Sequence, residues 1–323
     1  MKALIIDRVS PLVASGLKEY GVEVDIQILP GVEELKQLLP NYDLLVMRVD
    51  PKIDRELLDA AAKRVKMIAV CAVGTNHIDV DYAGELGIKI QNAPGVNYNA
   101  VAELTISKML DLSRFTMEAN REVQEEHIWN KYKYTGHELK GHVLGIVGLG
   151  KIGSRVAKLA QAFDMTVAAY DPYVDGETMQ SKGVAKVEAL NELCAQADYI
   201  STHTPLTSET KGIIGKEQFA CMKPGTYVIN CARGGVVDED ALYRALTQGP
   251  LGAAACDVLA HEPPAPGLPL LRLPNFLATP HLGAATDEAL LRVGMCVVEQ
   301  IFTIGGLGAK FVDGIRTQMK KRI

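Results

Sequence analysis

The sequence predicts an α/β protein built from two doubly wound parallel-sheet domains. Three observations carry this reading. A chain of 323 residues exceeds what one ordinary core holds. Short apolar runs alternate with amphipathic segments along most of its length, the pattern of strands covered on both faces by helices. The breaker-rich stretch Asn92-Ala93-Pro94-Gly95-Val96-Asn97 interrupts that alternation, which then restarts.

In the first series, Ala3–Ile6, Val24–Ile28, Leu44–Val46, Met67–Val70 and Ile88–Gln91 read as strands. Between them Pro11–Tyr20, Val32–Leu39, Glu56–Lys63 and Val80–Leu86 carry apolar residues at helical spacing. The breaker stretch marks the first inter-domain crossing, and one long helix is expected from about Ala100 to Glu126. Trp129–His142 is polar and aromatic with weak periodicity. The second series has strands at Val143–Val147, Thr166–Tyr170, Tyr199–Thr202, Tyr227–Asn230, Ala253–Asp257 and Phe276–Ala278. A helix from about Asp287 to Ile304 follows, then a Gly-rich turn and a basic tail, Arg316 to Arg322, expected to be a solvated end.

Composition narrows the function classes. Hydrophobic content of 48% and charged content of 23% are those of a folded globular chain. A net charge of −5 supplies no surplus to neutralise phosphates, which argues against nucleic acid or an anionic membrane as the main partner. No apolar run approaches the roughly 20 residues a bilayer crossing needs. The start, Met1-Lys2-Ala3-Leu4-Ile5-Ile6-Asp7, meets a charge too early for a signal peptide, so a cytoplasmic location is expected. The six cysteines (Cys71, Cys194, Cys221, Cys231, Cys256, Cys296) lack metal-ligand spacing and read as reduced structural thiols. No metal site is expected.

Gly148-Leu149-Gly150-Lys151-Ile152-Gly153 fits G-x-G-x-x-G, a pattern that is weak alone. Here it follows the apolar strand Val143–Val147, opens the amphipathic run Ile152–Phe163, and precedes a second strand ending at Asp171. That is a complete dinucleotide-binding unit. The glycines permit a tight turn and close backbone approach, the helix N-terminus faces the pyrophosphate, and the acid grips the ribose. A carboxylate at Asp171 repels a 2′-phosphate, and Pro172-Tyr173-Val174 offers no Arg to receive one, so NAD is expected rather than NADP.

Three later segments place titratable groups just past strand ends, where open α/β sheets bind ligands. Arg233 lies in Asn230-Cys231-Ala232-Arg233-Gly234-Gly235, Glu262 in Asp257-Val258-Leu259-Ala260-His261-Glu262-Pro263-Pro264, and His281 in Thr279-Pro280-His281-Leu282-Gly283-Ala284-Ala285. Reduction of a 2-oxo acid needs a planar cation for the carboxylate, a proton donor for the forming alkoxide, and an acid to keep that donor charged and oriented. Arg233, His281 and Glu262 are those residue types. Taken singly, each also reads as a surface ion pair, a capping His or a solvated Glu.

In this order and spacing, GLGKIG, NCARGG, DVLAHEPP and TPHLGAAT resemble the D-isomer-specific 2-hydroxyacid dehydrogenase family, phosphoglycerate dehydrogenase-like, over nearly the whole chain. The resemblance implies a flavodoxin-like substrate domain, 1–96 plus 288–323, and a Rossmann NAD-binding domain, 97–287, inserted between the two chain ends. It assigns Arg233 to substrate carboxylate and carbonyl, Glu262 to support of the His, and His281 to acid/base work. It places Asp257 at the nicotinamide carboxamide, and Thr204 and Pro205 beside the adenosine half. Gly148, Gly150, Lys151, Ile152, Asp171, Cys231, Ala232, Arg233, His281 and Gly283 complete the expected cofactor contacts. It also implies a homodimer formed through the cofactor domains by the long helix and the arm that holds Trp129.

For the substrate, the resemblance points to the loop Cys71–Asp79, with Val73 and Gly74 meeting the carboxylate, and to Asn97. His77 in that loop reads as structural. Arg48 matches the position at which phosphoglycerate dehydrogenases keep an Arg for the distal phosphate, but Asp50 stands where their Arg-Ser-Arg-Thr pattern has its second basic residue. The signals conflict, leaving hydroxypyruvate or glyoxylate, D-lactate-type acids and 3-phosphoglycerate all open. The chain ends soon after the family's last helix, so a serine-controlled regulatory domain is not expected. The rival reading is an NAD(H)-sensing binding protein of the corepressor type, against which the lack of a long disordered tail or a peptide-binding extension argues.

Overall fold

The structure, a computed structural model, describes residues 1–304, with Ile304 described by its backbone alone. The Gly-rich turn and basic tail read from the sequence lie outside the described residues. The chain divides into two compact units, Met1–Asn97 with the C-terminal segment from Thr286, and Tyr98–Ala285.

The first unit alternates strand and helix: β1 (Lys2–Ile5), α1 (Pro11–Glu19), β2 (Glu23–Ile26), α2 (Val32–Leu38), β3 (Leu44–Met47), α3 (Arg55–Ala62), β4 (Met67–Val70), α4 (Val80–Glu85) and β5 (Lys89–Gln91). Local chemistry starts the helices. Ser10 precedes Pro11 at the first helical position of α1, and the Asp54 and Asp79 carboxylates each accept a backbone N–H, at 3.1 Å, from the third residue on. All strands pair in parallel in the order β2-β1-β3-β4-β5, the flavodoxin-like doubly wound arrangement. β3 and β4 are buried throughout, as strands covered on both faces must be.

The second unit contains α5 (Tyr98–Arg114), α6 (Thr116–Arg121), β6 (Val143–Val147), α7 (Lys151–Ala162), β7 (Thr166–Tyr170), α8 (Gly176–Ser181), β8 (Ala185–Lys186), α9 (Leu190–Gln196), β9 (Tyr199–Thr202), α10 (Lys216–Cys221), β10 (Thr226–Asn230), α11 (Glu239–Thr247), β11 (Leu251–Cys256) and β12 (Phe276–Ala278). Its seven parallel strands run β12-β11-β10-β9-β6-β7-β8, a Rossmann order extended by one strand. Ile146 and Ala169 face a core shared with Val101 and Met109 of α5 and Val156 and Ala160 of α7. Val147 and Ala168 face the opposite core, with Leu193, Phe219 and Leu242 from α9, α10 and α11. The two-residue β8 was not anticipated; two residues carry too little periodicity to register.

The expected single helix over about 100–126 is overturned. α5 stops at Arg114, Phe115 turns left-handed (φ 54°), α6 follows, and Glu122–Glu126 form a wider π-type turn. The cause is a competing acceptor. The Ser113 carbonyl takes the His137 N–H at 3.1 Å, and Gly136 passes so close that a Cβ there would lie 2.0 Å from that oxygen. The next helical turn loses its partner to the loop.

The last helix, α12 (Asp287–Ile304), returns to the first unit. Its Val293, Val297, Val298, Ile301 and Phe302 close one face of the first sheet with Ala3, Ile5, Val46, Ala69 and α1 residues Val13 and Leu17. Leu4, Ile6, Leu45 and Met47, alternating with these along the strands, face α2 and α3 on the other side.

Candidate active site

Every parallel strand of a doubly wound sheet points its carboxyl end to the same edge. Gly148, Asp171, Thr204, Arg233, Asp257 and His281 all lie just beyond the carboxyl ends of β6, β7, β9, β10, β11 and β12. The chemistry read from separate segments is therefore on one edge of one sheet.

The glycine loop meets the steric demands of a dinucleotide. Gly148 has φ +92°, and a Cβ on it would sit 2.9 Å from Thr204 Cγ2. A Cβ on Gly153 would lie 2.2 Å from the Gly148 carbonyl oxygen, so helix and turn pack without room for a side chain. Gly150, the residue before α7, has nothing within 4 Å of an added Cβ and no side chain capping the helix, leaving its first N–H groups facing open space. Asp171 steadies the loop: its carboxylate accepts from Leu149 N at 2.7 Å and Tyr173 N at 2.9 Å. Thr204 Oγ1 and His203 Nδ1 are buried without a hydrogen-bond partner among the described residues. Burial pushes the His203 imidazole down to about 3, so the ring is neutral. An open helix start, close-packed glycines and an orphaned hydroxyl fit a bound dinucleotide. Pro205, whose carbonyl accepts from Thr210 Oγ1 at 2.5 Å, continues the same loop, and Lys151 and Ile152 form the first turn of α7.

Three strand-end turns carry the titratable groups. His281 Nδ1 meets Glu262 Oε2 at 2.7 Å, which leaves Nε2 as its free ring nitrogen. Both side chains are partly exposed. Burial pushes the Glu262 carboxyl up, but the His281 hydrogen bond and charge, the Leu259 N–H (3.0 Å) and the Arg233 charge together hold it below its ordinary value. Arg233 is half-buried, donates Nη1 to the Ala232 carbonyl at 2.7 Å, and is pushed down by burial against the pull of Glu262. Its turn is fixed by Asn230, whose Oδ1 accepts from Thr202 Oγ1 (2.9 Å) and Ala232 N (3.0 Å). A Cβ on Gly234 would meet the Leu259 carbonyl oxygen at 1.8 Å, so the Arg233 and Glu262 turns touch backbone to backbone. Cys231 beside Arg233 is buried, and its thiol is pushed up to about 12.

Asp257, 1% exposed, does more than the sequence indicated. Its carboxylate accepts Leu282 N and Gly283 N at 2.8 Å each and Thr279 Oγ1 at 2.5 Å; its backbone carbonyl accepts His281 N at 2.9 Å. His281 is held in the left-handed region, φ 54°. Sequence reading missed Thr279, Asn230 and Lys108, whose Nζ reaches Thr279 Oγ1 at 2.7 Å. A lysine on the apolar stripe of a helix was the available signal.

Apart from Arg233, the residues expected to meet substrate lie in the first unit. Arg48 follows β3; its backbone N–H and that of Val49 each bind Asp7 Oδ2 at 3.1 Å, and its buried Nε has no partner among the described residues. Val73 and Gly74 follow the adjacent β4, with the Val73 carbonyl taken by Asn92 Nδ2 at 2.6 Å. Asn97 is the last residue before α5. His77 is mostly buried and pushed down by that burial. Among the described residues no group of three or more His, Cys, Asp or Glu is placed to hold a metal, and no helix is long and apolar enough to cross a membrane.

Residues 106–283 match the model of the D-isomer specific 2-hydroxyacid dehydrogenase, NAD binding domain. The chain is similar to D-3-phosphoglycerate dehydrogenase of Archaeoglobus fulgidus, 43% identical over 301 residues that cover 93% of this chain and 56% of that protein. It is 42% identical to hydroxypyruvate reductase of Thermotoga maritima over 272 residues, 84% of this chain and 87% of the relative. The crystal structure of D-lactate dehydrogenase from Aquifex aeolicus, complexed with NAD and lactic acid, matches with a TM-score of 0.81 at 31% identity, covering 97% of this chain and 98% of that one. The chain spans about half the length of the curated phosphoglycerate dehydrogenases it matches. With its glycine loop and strand-end turns in that family's order, the chain belongs to the D-isomer specific 2-hydroxyacid dehydrogenases, and its cofactor is NAD.

Proposed function

We propose that the chain interconverts a small 2-oxo acid and its D-2-hydroxy acid, an NAD-dependent oxidoreductase reaction. The His281–Glu262 contact of 2.7 Å, on the sheet edge that carries the dinucleotide loop, is the observation that carries this reading. NADH, when bound, supplies the hydride that reduces the substrate's second carbon. Arg233 holds the substrate carboxylate and carbonyl with its planar fork. His281, protonated, gives its Nε2 proton to the carbonyl oxygen as that oxygen becomes an alkoxide, and keeps its Nδ1 proton on Glu262. In the reverse direction neutral His281 takes the hydroxyl proton at Nε2. The Glu262 carboxylate, held below its ordinary value, stays charged to orient and stabilise the imidazolium.

Asp171 favours NAD over NADP, since both of its oxygens already receive loop N–H groups and a 2′-phosphate would meet a fixed negative charge. Gly148, Gly150, Lys151, Ile152, Thr204, Pro205, Cys231, Ala232, Asp257 and Gly283 are assigned to the cofactor. Arg48, Val73, Gly74 and Asn97 are assigned to the substrate, whose second half is hydroxypyruvate-, glyoxylate-, lactate- or phosphoglycerate-like. The residue ranges 1–96 plus 288–323 and 97–287 are taken as substrate and cofactor domains. The protein works in the cytoplasm as a homodimer. Supporting the dimer, Trp129 and Tyr132 are 87% and 82% exposed, and Ile106, Leu110, Leu159 and Phe163 line an open apolar groove of about 370 Å³.

Following NADH loss with glyoxylate, hydroxypyruvate, pyruvate, 2-oxoisocaproate and phosphohydroxypyruvate tests the reading and selects the substrate. Turnover of any one supports an enzyme. Tight NADH binding with no turnover of any would favour the sensing protein instead.

A further inference from the structure

Lys108 is the unusual residue of the second unit. It sits on the buried side of α5, in line with Val101, Thr105 and Leu112, and is 1% exposed. A buried ammonium is costly unless paired and hydrogen-bonded. Its partner is the Thr279 hydroxyl at 2.7 Å, and that hydroxyl lies 2.5 Å from Asp257 Oδ1. An ammonium has only donors, so Thr279 Oγ1 must accept from Lys108 and send its own hydrogen to Asp257. The direction of the relay is therefore fixed.

Asp257 in turn receives three consecutive backbone N–H groups: His281 on its carbonyl, Leu282 and Gly283 on its carboxylate. Oδ1 accepts from both Thr279 Oγ1 and Leu282 N and Oδ2 from Gly283 N, so the rotation of the carboxyl group sets where the two amides sit. The remaining charged and titratable groups around the turn are Cys231 beyond β10, Cys256 on β11, Glu239 at the start of α11, and Arg233, Glu262 and His281 in the turns. Burial pushes both thiols up, so they carry no charge. Arg233 donates to the Ala232 carbonyl and the His281 ring faces Glu262. Lys108 is the cation hydrogen-bonded into the Asp257 network.

We propose that Lys108 is a positioning residue: by fixing the Thr279 hydroxyl as a donor to Asp257 Oδ1, it holds the carboxyl group against the Leu282 and Gly283 amides and thereby sets the turn that presents the proton donor. The catalytic consequence rests on the reading of His281 given above; the clamp itself does not.

The test separates the two. Hydrogen exchange at the Gly283 amide of the full chain, labelled with ¹⁵N-glycine, is followed in wild type, Lys108→Met and Lys108→Arg, with and without NADH. In Lys108→Met the Gly283 amide should exchange about tenfold faster than in wild type, the order of one lost hydrogen bond, while Lys108→Arg follows wild type. With an accepted 2-oxo acid, kcat of Lys108→Met should fall at an unchanged KM for NADH, and Lys108→Arg should restore it. If the Met and Arg variants behave alike, or Gly283 in the Met variant is as protected as in wild type, the proposal is overturned. A chain that reduces no 2-oxo acid would sink the functional reading while the amide exchange still decides this one. Should Lys108→Met fail to fold, Thr279→Val must show the faster exchange and Thr279→Ser must not; identical exchange in that pair would equally overturn it.

Discussion

Glu262→Gln removes one charge while keeping shape, and the geometry makes its consequences asymmetric. In the native turn the two Glu262 oxygens are engaged separately, Oε1 accepting from Leu259 N at 3.0 Å and Oε2 facing His281 Nδ1 at 2.7 Å. A glutamine has one acceptor oxygen for the two. If that oxygen stays with Leu259, the amide NH₂ faces Nδ1 and favours the imidazole tautomer with its proton on Nε2. That tautomer cannot act as base toward a hydroxyl group at Nε2. Two effects then add. The imidazolium loses an adjacent carboxylate, so the pH profile of 2-oxo acid reduction should move toward acid, with the loss falling on its alkaline side. Hydroxy-acid oxidation should lose more, up to the roughly 10²- to 10⁴-fold worth of general-base catalysis. Glu262 also carries a linkage of definite sign. Its carboxyl is held below the ordinary value, so its stabilising contribution is present above that value and disappears as pH falls through the lowered one. Steady-state kcat/KM for both directions from pH 5 to 10 reads all of this. An unmoved reduction profile, or equal losses in the two directions, would refute the tautomer and charge argument together.

Asp171→Ser should narrow the preference for NADH over NADPH, read as the ratio of kcat/KM values; a wild type that prefers NADPH would contradict the role given to that carboxylate. Gly153→Ala places a Cβ 2.2 Å from the Gly148 carbonyl oxygen, so it should destabilise the fold by about 1–3 kcal/mol and weaken NADH binding, visible by thermal melting and fluorescence titration. Arg48→Ala should reduce kcat/KM for phosphohydroxypyruvate at least tenfold more than for hydroxypyruvate; equal losses would make the buried, unpartnered Nε of Arg48 a structural group only.

The strands were legible because doubly covered parallel strands are short apolar runs between breakers. Val143–Val147, Thr166–Tyr170, Tyr199–Thr202 and Met67–Val70 need no correction. The contact of His281 with Glu262 was legible for a different reason: each residue follows a strand, and parallel strands deliver their carboxyl ends to one edge. The break at Phe115 was not legible, because the competitor for the Ser113 carbonyl, His137, lies more than twenty residues away along the chain. Nor was the clamp at Asp257, where the Leu282 and Gly283 amides, invisible in side-chain identities, decide what the carboxylate does. Lys108 carried a readable signal, a cation on an apolar stripe, but its partner Thr279 is far off in sequence.

The return of α12 has a bearing on how the chain is made. The face of the first sheet formed by Ala3, Ile5, Val46 and Ala69 is finished by Val293, Val297 and Ile301. Those residues leave the ribosome only after the whole of Tyr98–Ala285 has been synthesised. At about 5–20 residues per second, the apolar face waits some tens of seconds for its cover. The inserted unit has every one of its own strands before then, so it completes first and the unit begun first closes last. During that interval only Val13 and Leu17 of α1 cover that face, and the part that α12 will bury stays open to water.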